Sequence, residues 1–136
     1  MSSFYSVQYQ THPPLVRGLA LRPLSVAEFA EACELLLAEA QRQQCPYWLL
    51  DGRADEHAAR PFDMYEWLGE DFLPRVHRAL GTIPCLAFLA RPEFWQALQA
   101  QGYANDTPKL HVAFRANWFT DEAAAAAWLG QFRPPA

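Results

Sequence analysis

The sequence predicts one α/β domain over residues 1–136, ordered β-β-α-β-α-β-α-β-α. Its sheet is expected to be mostly parallel and five-stranded, with an antiparallel first strand and the helices mainly on one face. Three observations carry this. The apolar runs Tyr47–Asp51 and Cys85–Leu89 have the length and uniform hydrophobicity of strands buried on both sides. Amphipathic stretches with helix-start signals stand between them, and strands alternating with helices imply crossovers and parallel pairing. A chain of 136 residues that is 51% hydrophobic and 19% charged builds one core without needing a disulfide or a metal.

Residues 4–10 alternate, with Tyr5, Val7 and Tyr9 on one side, the pattern of a half-buried strand. Pro13 and Pro14 break it, since proline has no amide hydrogen for a ladder, and residues 15–22 read as the antiparallel return arm. Ser25 followed by Glu28 is a capping box, flanked by Leu24 and Phe29 as a staple. Such a cap contributes about 1 kcal/mol. From there Phe29, Cys33, Leu36, Leu37 and Ala40 repeat at helical spacing until Pro46 ends the helix. After the strand at 47–51, Phe62, Asp63, Glu66 and Trp67 repeat the cap-and-staple design. Leu68, Phe72, Val76 and Leu80 continue a buried face, Pro74 predicts a kink or a split, and Gly81 a stop. Pro92 is placed to open a short helix that Gly102 closes. Residues 109–115 alternate with Leu110, Val112 and Phe114 toward the core, the predicted last strand. Thr120 is expected to cap a final helix, with Asp121 and Glu122 suited to its positive end.

Charge narrows the function classes. Eleven Lys+Arg against fifteen Asp+Glu give a net charge of −4, and Lys109 is the only lysine. No basic stripe is present to displace counterions from phosphates, so nucleic acid and polybasic membrane attachment are not expected partners. No apolar stretch reaches membrane-spanning length. The N-terminal MSSFYSVQYQ lacks the basic flank and apolar run of a signal peptide. The cytoplasm is therefore the expected compartment, where Cys33, Cys45 and Cys85 serve as small buried hydrophobes. The six glycines form neither a GxGxxG nor a phosphate loop, so no cofactor is expected.

In element order and length, and in a final helix with Ala125 ahead of Trp128-Leu129, residues 4–132 resemble the STAS family of anti-sigma-factor antagonists and sulfate-transporter tails. The resemblance implies a non-enzymatic regulatory domain acting through protein–protein contacts. STAS switch proteins carry a phosphorylatable Ser or Thr in the loop after the third strand. Here no Ser or Thr occurs from residue 27 to residue 80, so binding carries over and the phospho-switch does not.

The loop after the third strand is the candidate site, because ligands of open α/β sheets sit at strand carboxyl ends. Asp51, Arg53, Asp55, Glu56, His57 and Arg60 are its charged residues. Asp55, Glu56 and His57 could serve acid–base work or bind a metal, but Asp55 and His57 make only two possible ligands, too few for a site on their own. The plainer reading is a solvated charged turn whose Arg and carboxylates pair locally. The alternative is a carrier of a small apolar or anionic ligand, with Tyr65, Trp67, Phe94 and Trp95 lining a pocket and Arg53 or Arg60 holding an anionic head. If helices cover one face only, Trp48, Leu50 and half of residues 85–89 face the other. That face needs a second copy in a homodimer, residues 1–14 folded across it, or a helix that crosses over.

Overall fold

The computed structural model describes residues 3–55, 67–93, 96, 100, 109–110 and 114–133. Strands β1 (Tyr5–Thr11) and β2 (Pro14–Ala20) form the antiparallel pair. Helix α1 (Val26–Gln43) leads to β3 (Tyr47–Asp51); a π-helical turn at Leu68–Phe72 and α2 (Leu73–Leu80) lead to β4 (Cys85–Leu89). Then come β5 (Lys109–Leu110), β6 (Arg115–Phe119) and α3 (Glu122–Gly130). The sheet has six strands in the order β1-β2-β3-β4-β6-β5, and β2, β3, β4 and β6 are parallel. The α/β class and the mostly parallel sheet with an antiparallel start are thus as predicted.

Local signals account for the boundaries. Ser25 Oγ accepts from the Glu28 amide at 3.1 Å, and Glu28 Oε1 accepts from the Ser25 amide at 3.0 Å, so the capping box is reciprocal. Gln44 ends α1 in the left-handed region at φ 51°, two residues before Pro46. Pro74 does not break its helix: the chain stays helical from Trp67 to Leu80, with the π turn Leu68–Phe72 just before the proline. The Leu73 amide donates to Leu68 O across a π turn, and Pro74 then falls in the first turn of α2. Gly81 closes α2 at φ 73°. The predicted cap at Asp63 lies outside the described residues.

Two expectations near the end of the chain are corrected. The parallel strand beside β4 is Arg115–Phe119, while Lys109–Leu110 is a two-residue antiparallel partner to it. Alternation runs on from Phe114 through Ala116 and Trp118, so pattern alone does not locate the pairing segment. Arg115 and Asn117 also hide the strand. Arg115 lies over the Phe132 ring at 4.9 Å, which shelters its stem. The second correction is the cap of α3: Asp121 Oδ2, one residue beyond Thr120, accepts from the Ala124 amide at 3.0 Å.

The faces follow from the register. Val16, Trp48, Leu86 and Ala116 form one row across four strands and pack under α1, the π turn and α2. On the opposite face Leu15, Leu49, Cys85 and Ala87 pack against Ala125, Trp128 and Leu129 of α3. Trp48 and Leu50 therefore face α1, contrary to the sequence reading, while Leu49 faces α3. A helix that crosses over is what covers the second face.

Candidate functional site

Because β2, β3, β4 and β6 are parallel, their carboxyl ends meet along one rim. Its last row is Leu19, Asp51, Leu89 and Phe119. Asp51 closes β3, and the chain turns at once: the Gly52 amide donates to Leu89 O at 2.8 Å and the Asp55 amide to Gly52 O at 3.0 Å. Residues 51–55 are thus tied to the sheet, while Arg53 stays exposed and pairs locally with Asp51.

Asp51 is buried and accepts from the Arg53 amide at 3.1 Å, from its Nε at 3.0 Å and from its Nη2 at 2.7 Å. Burial works against its charge, but the Arg53 hydrogen bonds outweigh that and hold the carboxyl below its ordinary value. Arg53 also lies 3.9 Å from Glu122 at the start of α3, and Arg17 of β2 binds the same Glu122 Oε1 at 2.7 Å. The chain Asp51–Arg53–Glu122–Arg17 joins β3, β2 and α3 with two charges of each sign. Asp55, also buried, turns toward the other face, and its Oδ1 accepts from the Leu24 amide at 3.2 Å. It thereby ties the loop to the segment that leads into α1.

Asp51, Gly52 and Asp55 border a cavity of about 60 Å³ whose other walls include Tyr5, Phe29, Cys33, Trp48, Phe88 and Trp118. One water needs about 10–15 Å³, so the cavity has room for no more than a few water-sized groups. The phenol of Tyr5 is pushed far up by burial, reinforced by Cys33, Asp51 and Asp55, and stays neutral. Phe88 stacks on Trp118 with centroids 4.5 Å apart.

Of the residues singled out in the sequence, Asp51, Arg53 and Asp55 come together here. Glu56, His57, Arg60, Tyr65, Phe94 and Trp95 lie outside the described residues. Trp67 stacks on Phe72 at 5.4 Å, a core contact. Sequence reasoning missed Tyr5, Phe88, Trp118, Arg17 and Glu122. One signal was available: Gly18 interrupts a strand pattern, which marks a close approach, and Tyr5 fills that space.

Chemically, the rim is stocked with paired groups. Arg53 is bidentate on Asp51, so the anionic grip expected of it is already taken. Arg22 binds Glu28 in the same way, at 3.0 and 2.6 Å. The Cys45 and Cys85 thiols are buried, and burial pushes both up, away from a thiolate nucleophile. Among the described residues no three His, Cys, Asp or Glu side chains converge as metal ligands, and no helix is long and apolar enough to cross a membrane. No family model, curated protein or solved structure matches this chain.

A pH dependence follows. Asp51 is held below the usual carboxylate range, and Glu28 is held at about 2, chiefly by Arg22 and then by the Ser25 amide. A carboxyl whose folded pKa is depressed stabilises the fold above its unfolded pKa of about 4, and that stability goes as pH falls through the folded value. Thermal stability is expected to decline from about pH 5 toward pH 2. Asp51→Asn should flatten the decline, as read by melting curves across that range. An equally steep decline in the variant would remove Asp51 from the account.

Proposed function

We propose that this domain works by binding another protein at the carboxyl-end rim of its sheet, as a non-enzymatic, STAS-like regulatory module without a phosphorylatable switch. One observation carries the reading. Among the described residues, the exposed large hydrophobics are Leu19 (40%), Leu21 (46%), Val26 (46%) and Leu35, and the first three fall along the carboxyl-end rim, Leu19 and Leu21 at the end of β2 and Val26 at the start of α1. They stand beside Asp51, Arg53 and Arg22, whose charges are paired within the chain. An apolar patch edged by satisfied ion pairs loses little on desolvation, as the centre of a protein interface requires. The three free cysteines fit a reducing cytoplasm.

The carrier reading has the position of the cavity in its favour and its volume against it. A pocket for a drug-sized ligand needs about 300–1,000 Å³, and the cavity beside Asp51 has about 60 Å³.

The test places a photo-crosslinking amino acid at Leu21 in the source cells, with Arg78, exposed on α2, as the control position. One protein is expected to cross-link from Leu21 and not from Arg78. Leu19→Ser/Val26→Ser is expected to weaken its binding by about tenfold or more. Identical products from both positions would end the rim assignment.

A further inference from the structure

Strand β1 is an edge of the sheet, and seven residues long. Natural edges are blunted by lysine, by proline within the strand, by a bulge or by a covering element. Here Tyr5–Thr11 contains no charge and no proline, and its register with β2 runs unbroken from Tyr5↔Ala20 to Thr11↔Pro14. The Leu21 amide donates to Phe4 O, which makes Phe4↔Leu21 a hydrogen-bonded pair. Alternation then turns the amides and carbonyls of Tyr5, Val7, Tyr9 and Thr11 away from β2, toward the side where no strand among the described residues pairs with β1. The side chains of Val7 and Tyr9 are only half-buried against the core.

Beside this edge, α1 presents Glu31, Leu35, Ala38 and Arg42 along a notch that Val7 also lines. Leu35 is 40% exposed, the fourth exposed large hydrophobic. The stripe complements itself. A twofold axis at its midpoint sets Leu35 against Ala38 of a second copy and Glu31 against that copy's Arg42, since both pairs straddle the same point. Arg42 also pairs with Glu39 of its own chain, which lines the notch too, so Glu31 joins it as a second carboxylate. The neighbouring Glu34 is turned to the other side of α1, where it binds Arg75.

The same axis serves the strand. Leu36, at the midpoint of the stripe, lies over Gly18, where a Cβ would stand 3.0 Å from its Cδ2, and Gly18 is registered to Val7. An axis through Val7 pairs Val7 with itself and Tyr5 with Tyr9 of the mate, with outward amides meeting outward carbonyls. Spacing agrees. Strands lie about 4.8 Å apart, and α1 rests on both β1 and β2. Its mate therefore falls about 10 Å away, the separation of packed helices.

We propose that this surface binds a second copy of the chain: β1 pairs antiparallel with β1 across a twofold axis at Val7, and the two α1 helices pack side by side through Leu35 and the Glu31–Arg42 pairs. The sheet continues through both protomers and each exposed edge is closed by the other. This interface is separate from the carboxyl-end rim.

Sedimentation of the full chain over a concentration series tests it. A species of twice the 15.5 kDa chain mass is expected. Arg42→Glu should weaken self-association by about tenfold or more, because it sets like charges opposite each other. Glu31→Arg/Arg42→Glu should restore it. Val7→Pro should abolish it while leaving circular dichroism native, since the amide it removes is not used in the β1–β2 ladder. A chain that sediments as a monomer at its highest soluble concentration overturns the proposal, as does a dimer indifferent to both charge variants. A dimer lost in Leu19→Ser/Val26→Ser and kept in Arg42→Glu would overturn it in favour of the rim. Loss of rim cross-linking alone leaves the dimer standing, so the two readings fail separately.

Discussion

Gly18→Ala is expected to destabilise the protein by about 2–3 kcal/mol, the upper part of the range for overpacking a core. A Cβ built on Gly18 stands 2.2 Å from the Tyr5 hydroxyl oxygen, 2.9 Å from its ring carbon Cζ and 3.0 Å from Leu36 Cδ2. The ring is 7% exposed and has only two rotatable side-chain bonds, and Leu36 is itself buried. Relief therefore requires β1 or α1 to shift rather than a surface rotamer to turn. Tyr5→Phe removes the nearest atom and leaves the ring carbon. In that background the cost of Gly18→Ala should shrink by about 1 kcal/mol, the size of coupling usual for residues in contact. Urea unfolding of the four proteins in the cycle reads it directly. Full additivity would mean that the hydroxyl does not occupy the space above Gly18.

Trp48→Ala is expected to cost about 3–5 kcal/mol, at the top of the large-to-small range. Trp48 is fully buried in the row Val16–Trp48–Leu86–Ala116, and its ring meets Phe72 of the π turn at 6.3 Å. Its indole Nε1 donates to Cys45 O at 3.1 Å, which satisfies a carbonyl in the α1–β3 connection. Truncation removes the packing between the sheet and the π turn and also the donor. Trp48→Phe keeps most of the packing and should cost less, the remainder reporting the lost hydrogen bond and the smaller ring. Equal losses for the two variants would place the whole contribution on the indole N–H and none on packing.

Much of the fold was legible because its signals are local. The capping box needs residues three apart, the stop at Gly81 a single residue, and the runs Tyr47–Asp51 and Cys85–Leu89 only their own hydrophobicity. The last parallel strand was misplaced because Arg115 and Asn117 break its apolar signature. Its pairing is set by β4, in the register Cys85↔Arg115 to Leu89↔Phe119. The site divides in the same way. Asp51, Arg53 and Asp55 are found by their position after a strand. Tyr5 and Glu122 reach the same neighbourhood from the two ends of the chain.

The sequence by itself determined the α/β class, the ends of α1 and α2, the strands Tyr47–Asp51 and Cys85–Leu89, the carboxyl-end location of the candidate loop and the absence of Ser or Thr between residues 27 and 80. Tertiary structure alone decided which face Trp48 joins, that α3 covers the opposite face, and that Asp51 is neutralised through Arg53 beside Glu122 and Arg17. The physical reason is one of range. Capping, breaking and periodicity act over a few residues and leave their mark in composition. Face selection and ion pairing depend on which distant segments exclude water from one another, and that is settled only when the sheet closes on its helices.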